Sequence, residues 1–201
     1  MGPARIPSTR ERLIDAAIAL FWEKGYGSTS MSDLLAAAKA NSGSFYHFFS
    51  SKESLLLAVL DRYTALLHPQ VLAPAWEGVD DPIERVFALL GRYRTLVLQT
   101  DCTFGCPIGR LALEISPEQR EVHRKLAQNF DGWAAAVRGC LESAADRLPA
   151  DIDRDRLSQF VLAVMEGGVM LSRSHRDVKP FDQAVAELRA YFDRLLEVRH
   201  D

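Results

Sequence analysis

The chain has 201 residues, 48% of them hydrophobic and 25% charged, with a formal net charge of −3. That length suits one large or two small domains with a real core. The opening MGPARIPSTRER has no apolar h-region, and no window nears roughly eighteen unbroken apolar residues, so neither a secretory signal nor a membrane span is expected and the cytoplasm is the expected address.

Two features qualify these averages. Cys102, Cys106 and Cys140 are odd in number and lack zinc-like spacing, which argues against a disulfide framework and fits a reducing compartment. The first 52 residues carry a charge of +2 and the remainder −5. A slightly basic head on an acidic body can hold a polyanion at one end, although a solvated mixture of charges accounts for the same imbalance.

Helix-start patterns recur along the chain, at Ser8–Glu11, Ser30–Asp33, Ser50–Glu53 and Ser116–Gln119, with a looser form at Asp81–Glu84. Strand alternation and hairpin signals are absent, so an all-α fold of about nine helices is expected. The first runs from about Arg10 to Lys24, with Leu13, Ala17, Leu20 and Phe21 at helical spacing and Gly25 placed for a left-handed cap. Short helices follow over Met31–Ala38 and Ser42–Phe49, joined by Lys39-Ala40-Asn41, and a fourth covers Lys52–Leu67 until His68-Pro69 stops it. Longer helices are expected near 82–100, 107–115, 117–148, 153–174 and 180–198. Val122, Leu126, Phe130, Trp133, Val137 and Leu141 form one apolar stripe; Phe181, Val185, Leu188, Phe192 and Leu195 form another. Residues 1–52 are expected to form one domain and 53–201 a second, with helix 53–67 connecting them.

Phe45-Tyr46-His47-Phe48-Phe49 is the densest chemical signal. At 100° per residue, Phe45, Phe48 and Phe49 share one face and read as core. Ser42, Gly43, Ser44, Tyr46 and His47 fall on the outward arc. Small residues at the start of a helix let its backbone approach base edges, and longer polar groups reach flanking phosphates. Lys52 adds charge and free amide donors at the next helix start, and Thr29 and Ser30 do so at the second. A helix-turn-helix is one reading of this arrangement; a solvent-facing polar patch is the other.

The run Thr9–Ala17, Leu20-Phe21, Gly25-Tyr26, Thr29-Ser30-Met31, Leu34-Leu35, Gly43–Phe49 and Ser51–Leu55 resembles the N-terminal domain of the tetracycline-repressor (TetR) family. The resemblance implies a one-component transcriptional regulator, usually a repressor, that binds palindromic double-stranded operator DNA as a homodimer. A small-molecule effector held in a helical C-terminal domain releases it. Family phosphate contacts would fall on Thr29, Tyr46, His47 and Lys52, and base contacts on Ser42, Gly43 and Ser44. Lys39 and Ala40 stand where the family has glycine and a branched apolar residue; a left-handed Lys39 would cost roughly 1 kcal/mol. Ser42 is shorter than the lysine or glutamine common there, which favours reading of operator shape. Pairing is implied through helices 153–174 and 180–198, where Gly167-Gly168 gives room for a close crossing or marks a bend.

The segment Gly105-Cys106-x-x-Gly109-x-Leu111-Ala112-x-Glu114 resembles a branch of the family that includes electrophile-sensing members. With Pro107 opening a helix and Arg110 one turn on, Cys106 reads as a sensor thiol or as a small hydrophobe packed beside a cavity. A reversible apolar or aromatic effector would meet Tyr93, Phe104, Cys106, Arg110, Trp133 and Met165, which read equally as core. No phosphate loop, metalloprotease motif or nucleophile elbow is present, so no enzyme, cofactor or metal site is expected. An effector-free helical DNA-organising protein is the competing class.

Overall fold

The computed structural model describes residues 7–197. Arg5, counted with the basic head, and Val198, the expected end of the last helix, lie outside the described residues. Among the described residues every regular element is helical. The elements are α1 (Thr9–Glu23), α2 (Met31–Ala38), α3 (Ser42–Phe48), α4 (Lys52–Leu66), a π-helical turn (Leu67–Leu72), α5 (Ala73–Trp76), α6 (Pro82–Leu98), α7 (Pro107–Glu114), α8 (Arg120–Ser143), α9 (Arg154–His175) and α10 (Lys179–Glu197). Each of the nine expected helices has a counterpart. Pro69 does not break the chain as expected: the helix widens to a π turn, which tolerates the missing N–H, and continues into α5.

Local chemistry sets the starts and stops. Ser8 and Ser30 each close a capping box, with Glu11 and Asp33 respectively. The fourth helix is capped one residue later than expected: the Ser54 N–H donates to the Ser51 hydroxyl at 3.1 Å. Ser116 and Gln119 form a turn, and α8 begins only at Arg120. Lys39 takes the left-handed conformation (φ 50°, ψ 49°) at the end of α2. There Arg12 compensates, its Nε donating to the Ala38 carbonyl at 3.0 Å.

The chain forms two compact units, divided otherwise than at residue 52. The first comprises 7–63 with 107–127, the second 64–106 with 128–197. The reason is α7, which packs on α1 and so joins the head together with the first turns of α8. Leu13, Ala17, Leu34, Phe45, Leu56 and Val59 are wholly or almost wholly buried in this unit.

The second unit buries Phe87, Leu90, Val137, Val161, Phe181 and Phe192 in one cluster. Two Arg–carboxylate forks tie α6 to α10. Arg94 donates to Asp182 at 2.6 and 2.9 Å, and Arg189 donates to Glu84 at 2.6 and 2.8 Å while its guanidinium covers the Phe87 ring. Gly168 sits against α10: an added Cβ would lie 2.9 Å from the Phe181 ring and 3.3 Å from its Cα. The expected close crossing is therefore present at Gly168, whereas Gly167 meets nothing within 4 Å.

Two predictions follow from these contacts. Lys39→Gly removes the left-handed strain and should raise the thermal midpoint by an amount equivalent to about 1 kcal/mol; an unchanged or lower midpoint by circular dichroism contradicts it. The hydrogen bond from Arg189 holds the Glu84 carboxyl below its ordinary range, against the opposing effect of burial. A depressed carboxyl contributes stability that is full above the ordinary glutamate pKa, about 4.3, and is lost as pH falls through the folded value. Wild type should therefore lose more of its midpoint than Glu84→Gln on acidification through that range, and parallel curves contradict the role of the pair.

Candidate functional site

The head presents α3 through a narrow anchor. Asn41 caps it, its side-chain oxygen accepting from the Ser44 N–H at 2.8 Å. Phe45 is 0% and Phe49 is 4% exposed. The third ring expected inside is not: Phe48 is 40% exposed and lies edge-on to His47, with centroids 4.6 Å apart. The helix ends at Phe48, and Phe49 adopts extended backbone (φ −136°, ψ 121°) that turns its ring inward while Phe48 stays on the flank.

Above this anchor, Ser42, Gly43, Tyr46 and His47 are exposed and Ser44 is half-buried, with Tyr46 at 62%. The nearest atom to a Cβ built on Gly43 is Asn41 Oδ1 at 3.4 Å, so packing within the head does not demand a glycine there. An exposed helix N-terminus of small residues beside a phenol and an imidazole can dock closely on a groove with acceptors and phosphates.

Three other expected contacts are built differently. Thr29 is 1% exposed, and its hydroxyl donates to the Gly25 carbonyl at 2.6 Å, so the side chain supports the α1–α2 turn rather than facing outward. Ser30 is exposed, but its hydroxyl serves as the α2 cap. The Lys52 ammonium folds back onto Tyr26, donating to its carbonyl and lying 4.4 Å from its ring centroid. Burial pushes this ammonium below the ordinary lysine value, with Glu114 acting in the opposite direction. The Lys52 ammonium is thus engaged within the head rather than extended from the start of α4.

Arg110, expected beside an effector, serves the head instead. Its Nη1 donates to the Trp22 and Glu23 carbonyls at 2.9 and 3.2 Å, covering acceptors that the end of α1 leaves open, and its Nε donates to Glu114 at 2.9 Å. The other Glu114 oxygen accepts from the Gly27 N–H at 3.1 Å. Burial alone would raise this carboxyl, but the hydrogen bonds from Arg110 and the Gly27 backbone outweigh it and hold it low. Gly25 (φ 93°) lies beneath the pair, where a Cβ would come 2.5 Å from Glu114. Sequence reading quoted Glu114 within a motif without a role; its spacing of four from Arg110 was the available signal.

In the second unit, Tyr93, Trp133 and Met165 lie in or against the core cluster, with Cys106 partly buried beside it; Phe104 is half-buried. Tyr93 and Trp133 meet edge-to-face at 6.1 Å. Glu166, which the sequence reading passed over, joins them and accepts from the Cys106 thiol. Burial raises the Glu166 carboxyl, and burial also pushes the Tyr93 phenol up, with Cys106 and Glu166 adding to the effect. An acid directly after Met165, between the buried Leu162 and Val169 of one stripe, was the sequence signal. A groove of about 840 Å³ lies elsewhere, between α9 and α10, lined by Phe160, Val164, Gly167, Leu171 and Tyr191 among others.

Known proteins align with this architecture. Residues 13–59 match the family described as bacterial regulatory proteins, tetR family, and residues 82–188 match the tetracyclin repressor-like C-terminal domain. The HTH-type transcriptional repressor DhaR of Mycobacterium sp. (strain GP1) is 28% identical over 195 residues, spanning 96% of this chain and 94% of its own. An uncharacterized HTH-type transcriptional regulator of Mycobacterium tuberculosis is 31% identical over 185 residues, spanning 90% and 92%. A TetR transcriptional regulator from Chloroflexus aurantiacus has a TM-score of 0.80 at 28% identity over 94% of this chain and 96% of that one. Escherichia coli NemR in its reduced form has 0.78 at 23% identity over 91% and 96%, a likeness of fold. Matched in both its head and most of its second unit, the chain belongs to the tetracycline-repressor family of helix-turn-helix transcriptional regulators.

Proposed function

We propose that the protein is a one-component cytoplasmic repressor whose homodimer sets two copies of α3 into successive major grooves of a palindromic operator. Such grooves require the two helices to stand about 34–36 Å apart. One observation carries the reading: Ser42, Gly43, Tyr46 and His47 are exposed on α3, while the helix is anchored to the head through Phe45, Phe49 and the Asn41 cap. Ser42, Gly43 and Ser44 meet base edges, while Tyr46 and His47 reach phosphates. At Lys52 the contribution comes from backbone N–H groups at the start of α4, whereas Thr29 and Ser30, whose N–H groups donate to the Tyr26 carbonyl and the Asp33 carboxylate, shape the approach to α2. Pairing runs through α9 and α10, supported by Phe160, Met170 and Leu171, which are 48%, 57% and 45% exposed there.

Release follows when a small molecule occupies the second unit around Tyr93, Phe104, Cys106, Trp133 and Met165. It acts only through its preference for one arrangement over another. The chain passes from the second unit to the first at the Cys106–Pro107 bond, and Arg110 and Glu114, one and two turns on, grip the end of α1. A shift at Cys106 is thereby delivered to the head. Electrophile sensing by Cys106 is the less favoured reading, because a carboxyl facing a thiol opposes the thiolate that attack requires.

Two substitutions test the interface. On an operator selected by the wild-type protein from random duplexes, Tyr46→Ala should weaken binding at least tenfold with an unchanged thermal midpoint. Lys52→Ala should lower the midpoint while leaving the salt dependence of binding unchanged. Full affinity in Tyr46→Ala overturns the groove assignment, and a salt slope reduced by about one in Lys52→Ala returns that lysine to the phosphates.

A further inference from the structure

Five buried side-chain polar atoms of the second unit lack a hydrogen-bond partner among the described residues: the Nε atoms of Arg92, Arg138 and Arg154, a donor on Trp133 and an acceptor on Glu166. Trp133 is 3% exposed; its indole N–H leans toward the Tyr93 phenol without completing a hydrogen bond. Glu166 takes a bond from Cys106, yet its Oε1 has no partner. Buried donors and acceptors in native proteins are nearly always paired, so an unanswered pair marks a place where something else binds. Tyr93 meets the Trp133 ring edge-to-face, and its phenol also feels the charges of Cys106 and Glu166. Three helices, α6, α8 and α9, and the residue before α7 thus converge on one polar spot inside an apolar core.

We propose that Glu166 and Trp133 form the polar end of the effector site, and that the effector is a small uncharged molecule carrying an amide or hydroxyl on an apolar body. The proposal rests on the reading that this unit holds an effector. The chemistry follows from the two atoms. Trp133 offers only a donor, so the ligand must accept; Glu166 Oε1 calls for a donor. An amide or hydroxyl supplies both within a small span. An organic anion would answer Trp133 but meet the Glu166 carboxyl, and an ammonium would answer Glu166 but face an N–H with nothing to accept it. Tyr93 supplies a flat aromatic wall. A site built around such buried groups discriminates strongly against molecules that leave them unpaired.

The test uses the full-length protein with benzamide, benzyl alcohol, benzoate and benzylamine as probes. The indole N–H resonance of Trp133 is assigned by its absence in Trp133→Phe. Benzamide and benzyl alcohol should shift that resonance saturably, whereas benzoate and benzylamine should bind at least tenfold more weakly. Glu166→Ala should weaken benzamide at least tenfold, and Glu166→Gln, which keeps an acceptor, should stay within threefold of wild type. If Glu166→Ala fails to fold, Glu166→Gln against Glu166→Leu gives the same contrast. Benzoate or benzylamine binding as well as benzamide, an unmoved Trp133 resonance, or benzamide binding that ignores the loss of Glu166 overturns the proposal. Operator release is read in parallel. Probes that bind at Trp133 without releasing DNA leave the site standing and remove the effector role; release by a molecule insensitive to residue 166 does the reverse.

Discussion

Burial of Phe45 beneath a seven-residue helix is the constraint on which the head depends. A helix that short does not hold itself together in water, because nucleation is costly and few hydrogen bonds follow it. Anchoring from below supplies what is missing. A buried phenylalanine contributes about 2–3 kcal/mol, Phe49 adds a second ring from just past the helix end, and Asn41 closes the first turn. Since the anchor takes one face only, the other is free of structural duty. Chemistry can be written there without loss of fold, and short polar residues stand there.

A second anchor works at the rear of the head. Arg110 and Glu114 fasten α7 to the last carbonyls of α1 and to the loop after Gly25. The absence of a side chain at Gly25 is what admits them. Because Pro107 follows Cys106 directly in the chain, the polar group around Glu166 and the helix that grips α1 are covalent neighbours.

Much of this was legible in the sequence, and the failures share a cause. Helix identity, the capping boxes at Ser8 and Ser30 and the Gly25 cap followed from local rules, the left-handed Lys39 from the family resemblance, and the structure has them. Periodicity put Phe48 inside, but on a helix this short the core reaches only Phe45, and Phe48 stays on the flank against His47. Thr29 and Lys52 carried the residue types of phosphate contacts, but their side chains turn inward to Gly25 and Tyr26. Arg110 pairs across 87 and 88 residues with Glu23 and Trp22, a partnership that no local window reveals. Glu166 was visible as an acid within an apolar stripe, yet only packing joined it to Cys106, Tyr93 and Trp133.

The most direct test of the account is a titration of the isotope-labelled protein with its selected operator, followed residue by residue through backbone amide resonances. Saturable shifts centred on Gly43, Ser44, Tyr46 and His47 are predicted, at one operator duplex per dimer. Operator binding that leaves α3 unperturbed while shifting another surface would contradict the central claim.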